Sequence, residues 1–304
     1  MDYILETHEL TKIYGQKEAA KDVSLHIREG QIYGLIGRNG AGKTTIMRMI
    51  SGLSAPTRGS YSLFGKTGAE MRKELRNVGV LIEHPGLYPR LSAYENLKIK
   101  CLGMGIKPEG YVDELLKLIG LEATDRKKPA GAYSLGMRQR LGIGLALIGD
   151  PRILILDEPI NGLDPQGIVE VREILSHLRD EKGITIMISS HILDELSKLA
   201  DAYGIIHEGT LLDEFSVEEL HKRTEQYVLI RTEDDAAAVK ALNGIGIKAI
   251  DPQHDGLRIT ERMDETPAMA KAIVGAGVGL RELSEHTFSL EDYYLGVTGG
   301  KHNG

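Results

Sequence analysis

The sequence predicts an α/β protein with a smaller α+β unit behind it, and three observations carry that prediction. Short apolar runs alternate with helical patterns from the N-terminus to about Glu219. A stretch of helical patterns without a clear strand interrupts them between Ser92 and Ile148. Past Leu220 the order becomes strand, helix, strand, strand, helix, strand.

Gln31–Ile36, Val78–Ile82, Ile153–Leu156 and Ile184–Ile188 read as strands buried on both faces, since each is a short apolar run. Between the last two lies "DPQGIVEVREILSHLRDEKG", where Ile168, Val171, Ile174 and Leu178 mark one helix face. Pro165 stands near its start and Gly183 just past its end. Buried strands separated by such helices imply parallel pairing through right-handed crossovers. The predicted α/β domain spans 1–220, with a helical subdomain over about 84–150. In the second unit, "YVLIRT" is a strand and "DDAAAVKALNGIG" a helix; "IKAI" and "LRIT" form a hairpin turning at Pro252 to Gly256. "ETPAMAKAIVGAG" is a second helix and "VGLRELS" a further strand, a ferredoxin-like order over 221–298 that includes a short helix at "SLEDYYLG". Residues 299–304 are expected to form a flexible tail.

Composition sets outer limits. With 41% hydrophobic and 27% charged residues in 304, the chain has an ordinary globular balance and room for a large core. A net charge of −7 argues against a nucleic-acid surface, which needs clustered Lys and Arg. The single cysteine, Cys101, cannot form an intramolecular disulfide and fits a reducing compartment. Met1 to Gly15 lacks the basic end and apolar core of a secretory signal, and no run approaches the ~18 apolar residues of a membrane span. Work at a membrane would therefore require another chain to cross it.

"IYGLIGRNGAGKTTIMRMI" carries the strongest chemical signal. Gly37, Gly42, Lys43 and Thr44 fit the phosphate-binding loop pattern, between a strand and an amphipathic helix as that mechanism requires. Glycines let successive N–H groups curl around phosphate oxygens, and the helix beginning near Lys43 adds its positive end. Lys43 is expected to reach the β- and γ-phosphates, and Thr44 to offer its hydroxyl to Mg²⁺. In "RILILDEP", Asp157 and Glu158 sit at the carboxyl end of a buried strand, where ligands bind in open α/β sheets. Asp157 suits a Mg²⁺-associated carboxylate and Glu158 a general base polarising water. Acid pairs at strand ends are common surface features; behind a phosphate loop, these two point to nucleoside triphosphate hydrolysis. Another acid ends the strand of "VLIEHPGLYPRL": Glu83 reads either as a metal ligand or as a solvated charge.

After the phosphate loop, "YSLGMRQRLGIGLAL", "LDEPINGLDPQG" and "ISSHILDE" follow in order. With that loop they resemble the ATPase subunit of ATP-binding-cassette transporters over about 1–215. "LIEHPGLYPRLSAYENL" and "YSLGMRQR" are similar to the bacitracin-resistance and lantibiotic-immunity group. The resemblance implies a P-loop ABC ATPase fold, with ATP and Mg²⁺ held by Gly37, Arg38, Asn39, Gly40, Ala41, Gly42, Lys43, Thr44 and Thr45. Tyr14, in "TKIYG", would stack on adenine; the bland alternative is a tyrosine packed beside a strand. Ser134 would cap a helix that, with Gly136, points at the γ-phosphate of ATP on an opposite subunit. Asp164 would shape the contact between subunits or simply cap the helix at Pro165. His191 would contact the γ-phosphate and attacking water, joining Glu158 and Lys43 as the catalytic set. Thr44, Asp157 and Glu83 would lie on the metal side.

Two departures stand out. The common signature Leu-Ser-Gly-Gly-Gln is Tyr133, Ser134, Leu135, Gly136, Met137 here, so a polar amide is lost while helix formers are kept. Glu83 replaces the usual glutamine, adding a charge and losing a donor. The reading is thus an ATP-driven motor, two copies of which sandwich two ATP molecules. It would sit at the inner face of the membrane and move a separate permease that exports an antimicrobial peptide or antibiotic, docked near His84 to Leu91, where Leu87, Tyr88, Pro89 and Leu91 are either its contacts or buried within this chain. Rival readings are a ribosome or DNA cassette, which would need tandem cassettes or a long coiled coil, and a nucleotide switch without transport. The C-terminal unit is left without an assigned role.

Overall fold

Sheet order explains why the phosphate loop and the strand-end acids gather at one end of the parallel strands. The structure, a computed structural model, describes residues 3–223, 226–286 and 289–299. The chain divides into two units, residues 1–217 and 218–304, and each is described by itself. The tail expected over 299–304 lies, apart from Gly299, outside the described residues.

The first unit opens with strands β1 (Tyr3–Tyr14), β2 (Lys17–Val23), β3 (His26–Arg28) and β4 (Ile32–Ile36), followed by helix α1 (Lys43–Ile50). Strand β5 (Arg58–Leu63), helix α2 (Gly68–Glu74) and strand β6 (Val78–Leu81) come next. Three helices, α3 (Ala93–Gly103), α4 (Tyr111–Leu118) and α5 (Leu135–Leu147), occupy the stretch after them. The unit closes with β7 (Ile153–Asp157), α6 (Pro165–Asp180), β8 (Thr185–Ser190), α7 (Leu193–Ser197), β9 (Ala202–His207) and β10 (Thr210–Ser216). Helix α8 (Val217–Arg223) begins at the boundary.

Six strands form the main sheet in the order β10-β9-β4-β8-β7-β6, parallel except for the antiparallel edge strand β10. β4 and β7 are buried at every position, as a sheet covered on both faces demands. A second, antiparallel sheet, in which β1 pairs with β2, β3 and β5, was not visible in the sequence. Register shifts break the β1–β2 ladder, so the apolar alternation that marks a half-buried strand is interrupted. Ile46, Met47, Met49 and Ile50 of α1 share one core with Leu5 and Leu10 of β1 and with Leu35, Ile155 and Met187 of the parallel strands. The phosphate-loop helix is thereby fixed in the middle of the unit.

The second unit contains β11 (Tyr227–Thr232), α9 (Asp235–Gly244), β12 (Ile250–Gln253), β13 (Gly256–Ile259), α10 (Thr266–Gly275), β14 (Leu280–His286) and α11 (Leu290–Val297). Its antiparallel sheet runs β12-β13-β11-β14. Val228, Ile230, Leu257 and Ile259 pack against Ala238, Leu242, Met269 and Ile273 of the two long helices. The hairpin turns at His254–Asp255, and Pro252 lies within β12 rather than in the turn. β12 is an edge strand, where a missing N–H costs no ladder bond.

Candidate active site

The phosphate-type loop follows β4 and runs into α1. Gly42 closes it at φ 110°, and a Cβ there would lie 2.5 Å from the Ala19 carbonyl oxygen. A Cβ on Gly37 would meet the Ile206 carbonyl oxygen at the same distance. Only glycine fits either place, because one forbids bulk and the other forbids both bulk and an ordinary φ. Lys43 is 5% exposed; its Nζ donates to the Gly37 carbonyl at 2.5 Å and lies 3.1 Å from Glu158 Oε1.

The parallel strand ends supply the acids. Asp157 closes β7 and is buried; Thr44 Oγ1 donates to its Oδ2 at 2.7 Å, and Ser189 Oγ to its Oδ1 at 2.6 Å. The Glu158 N–H donates to that same Ser189 hydroxyl at 2.9 Å. Ser189, at the neighbouring end of β8, thus fixes the position of both acids, and the sequence reading had given it no role. Glu158 holds a left-handed φ of 49°, a conformation that turns its side chain off the strand direction at some cost in strain. His191 Nδ1 lies 2.8 Å from Glu158 Oε2. Glu158 Oε1 is buried and accepts no hydrogen bond from the described residues, its lysine neighbour being an ion pair without hydrogen-bond alignment.

Lys43, Thr44 and Glu158 line a cleft of about 640 Å³ together with Tyr14, Arg38, Asn39, Gly40, Gly42 and Thr45, and with Lys17, Glu18 and Glu208; Gly37, Ala41, Asp157 and His191 are not among its lining residues. Tyr14, at the end of β1, is half exposed, with the Lys12 ammonium 5.1 Å from its ring centroid. A larger cleft, about 880 Å³, opens at the other end of the parallel strands, beside Pro151, Arg152, Gly183 and Ile184. It contains no glycine loop and neither strand-end acid, so the smaller cleft is the one equipped for phosphate chemistry.

Ser134, Gly136 and Asp164 do not line that cleft. They sit at two adjacent helix starts: Ser134 accepts from the Met137 N–H as the cap of α5, and Asp164 from the Gly167 N–H as the cap of α6. Gly136 comes within 3.8 Å of the Gly167 backbone, measured from the position of an added Cβ. Glu83, past the end of β6, also has a left-handed φ, of 65°, and is mostly exposed; its Oε1 accepts from Arg48 Nη2 at 2.5 Å. It shares no hydrogen bond with Thr44 or Asp157, and Arg48 is a second residue that the sequence does not single out.

Thr44 and Asp157 offer one hydroxyl and one carboxylate side by side, and no cluster of three His, Cys, Asp or Glu able to hold a metal occurs among the described residues. Such hard but sparse oxygen donors fit a magnesium ion that arrives already bound to phosphate, rather than an ion caged by protein.

Comparison with known proteins follows this geometry. The profile of the ABC transporter family matches residues 20–161. The bacitracin transport ATP-binding protein BcrA of Bacillus licheniformis is 42% identical over 99% of this chain and 99% of its own length. The lantibiotic transport ATP-binding protein SrtF of Streptococcus pyogenes is 47% identical over 69% of this chain and 89% of its own. Among solved structures, cbiO1 of Clostridium perfringens, part of the ABC transporter complex cbiONQ, superposes with a TM-score of 0.65 at 30% identity, covering 72% of this chain and 91% of that one.

Proposed function

We infer the working cycle from one premise: this chain belongs to the ABC transporter family as an ATP-binding subunit, and its reaction is ATP hydrolysis. Glu158 is the general base. The observation that carries this is its place on the cleft wall with His191 Nδ1 beside Oε2, while the buried Oε1 accepts no hydrogen bond from the described residues. A carboxylate with one oxygen anchored and the other held only by the Lys43 ion pair can take a proton from water once Lys43 turns to phosphate. His191 orients Glu158 and meets the terminal phosphate. Lys43 leaves the Gly37 carbonyl for phosphate oxygens, and the loop N–H groups hold the rest of the triphosphate. Thr44 and Asp157 would hold the magnesium, which would neutralise phosphate charge, and Glu83 would complete the metal side. Tyr14 stacks on the adenine.

Because Ser134, Gly136 and Asp164 stand apart from the cleft, a second copy supplies them. Two chains close head to tail, each α5 N-terminus facing the phosphate held by its partner. The motor drives a membrane permease from the inner face of the membrane. No helix among the described residues is long and apolar enough to cross one. A groove of about 500 Å³ beside the Glu83 loop suits the permease contact: Ile82, Pro85 and Leu145 line it, and Leu53, Tyr88 and Ile99 expose apolar surface there. Pro89 is exposed beside it, whereas Leu87 and Leu91 are half-buried. The cargo is a peptide antibiotic of the bacitracin or lantibiotic kind, by likeness to the relatives.

Glu158→Gln tests the cycle. It should lower phosphate release by at least about 100-fold and keep ATP binding, so that ATP converts single chains into pairs in sedimentation. Undiminished hydrolysis sinks the role of Glu158; chains that stay single with ATP bound sink the sandwich.

A further inference from the structure

Thr44 and Arg48 are one turn apart on α1 and therefore share a face of that helix. The same face reaches two neighbouring strand ends. Thr44 holds Asp157 at the end of β7, and Arg48 holds Glu83 just past the end of β6. β6 and β7 are paired, Leu81 opposite Leu156, so Glu83 and Asp157 leave adjacent strands at the same end of the sheet. The left-handed backbone at Glu83 sets the direction in which its carboxylate departs.

We propose that Arg48 is a positioning residue for Glu83: it parks the carboxylate against the phosphate-loop helix and competes for it with the magnesium that accompanies nucleotide. This rests on the reading above that Glu83 belongs to the metal side. A carboxylate oxygen already paired with a guanidinium N–H is less available to a divalent cation, so occupation of the cleft shifts Glu83 from one cation towards the other. The ion pair is largely exposed, with relative exposures of 38% and 59%, and exposed pairs are weak. The parked state therefore yields to modest competition, and Glu83 changes partner when the nucleotide site fills. Since the adjoining loop forms the wall of the apolar groove, the exchange is felt there through the chain from Ile82 to Pro85.

The test is a double-mutant cycle on the purified full-length chain, read by a fluorescent ADP analogue titrated with Mg²⁺ and repeated with Mn²⁺ by electron paramagnetic resonance. Neither measurement requires turnover. Arg48→Met should lower the Mg²⁺ concentration at half-saturation about two- to fivefold, and should have no effect in the Glu83→Ala background. Arg48→Lys should fall between wild type and Arg48→Met, and binding of the analogue without metal should be the same in all variants. An equal shift with and without Glu83 would mean that Arg48 acts only as a nearby charge, which overturns the proposal; so would no shift at all in Arg48→Met. A midpoint unmoved by Glu83→Ala alone overturns instead the reading of Glu83 on the metal side.

Discussion

Ser189 shows how a single hydroxyl organises a site. It donates to Asp157 and accepts from the Glu158 backbone, so one atom sets the spacing of the two acids. Ser189→Ala leaves a buried carboxylate oxygen and a backbone N–H short of a partner, which should cost about 1–3 kcal/mol of stability. Urea unfolding measures it, and a change of under about 0.3 kcal/mol would show that water replaces the hydroxyl. The acids themselves were legible because a polar pair at the end of an apolar run is conspicuous. Ser189 was not, since one of two serines ending the strand of "ITIMISS" looks like an ordinary boundary. Arg48 was hidden for another reason: its partner lies 35 positions away, and nothing in the order of residues joins a mid-helix arginine to a loop carboxylate.

At the level of elements, α3 illustrates a local device that supports the groove. Ser92 and Glu95 form a capping box, each side chain bonded to the other's backbone N–H. The Ser92 backbone N–H, then its hydroxyl, hold the Glu95 carboxyl below the usual carboxylate range. A lowered folded-state pKa means that this stabilisation is fully present above the unfolded-state pKa, about 4.3. It is lost as pH falls through the lowered value. The stability difference between wild type and Glu95→Gln should therefore be steady at neutral pH, shrink once pH falls below about 4.3 and be gone below the lowered value. A difference in thermal unfolding that does not shrink as pH falls from neutral into the acid range would contradict it. The three helices of the insertion were readable from their spacing, as were the buried parallel strands from their unbroken apolar runs. The antiparallel sheet was not, because the bulges in β1 put apolar and polar residues out of alternation. Pro252 likewise read as a turn, since only the finished sheet reveals which strand is an edge.

For the molecule as a whole, the residues of the nucleotide cleft all belong to the first unit, while the proposed cargo depends on a chain that crosses the membrane. Deleting the gene from its host should raise sensitivity to bacitracin or to a lantibiotic several-fold in growth inhibition, and restoring wild type but not Glu158→Gln should reverse it. Unchanged sensitivity to both would remove the peptide-antibiotic reading and leave the motor in place. The cap of α5 at Ser134 bears on how such a motor keeps its timing. Gly142 of α5 is bare where a Cβ would come 2.7 Å from Pro85, and Ser134 caps the same helix eight residues before it. A helix turns about 100° per residue. The cap and the bare patch are thus locked in angular phase, and adding a single residue between them would swing the patch away from Pro85 while leaving the chemistry of both ends intact. The helix works as a shaft whose setting is written in residue count as much as in residue type.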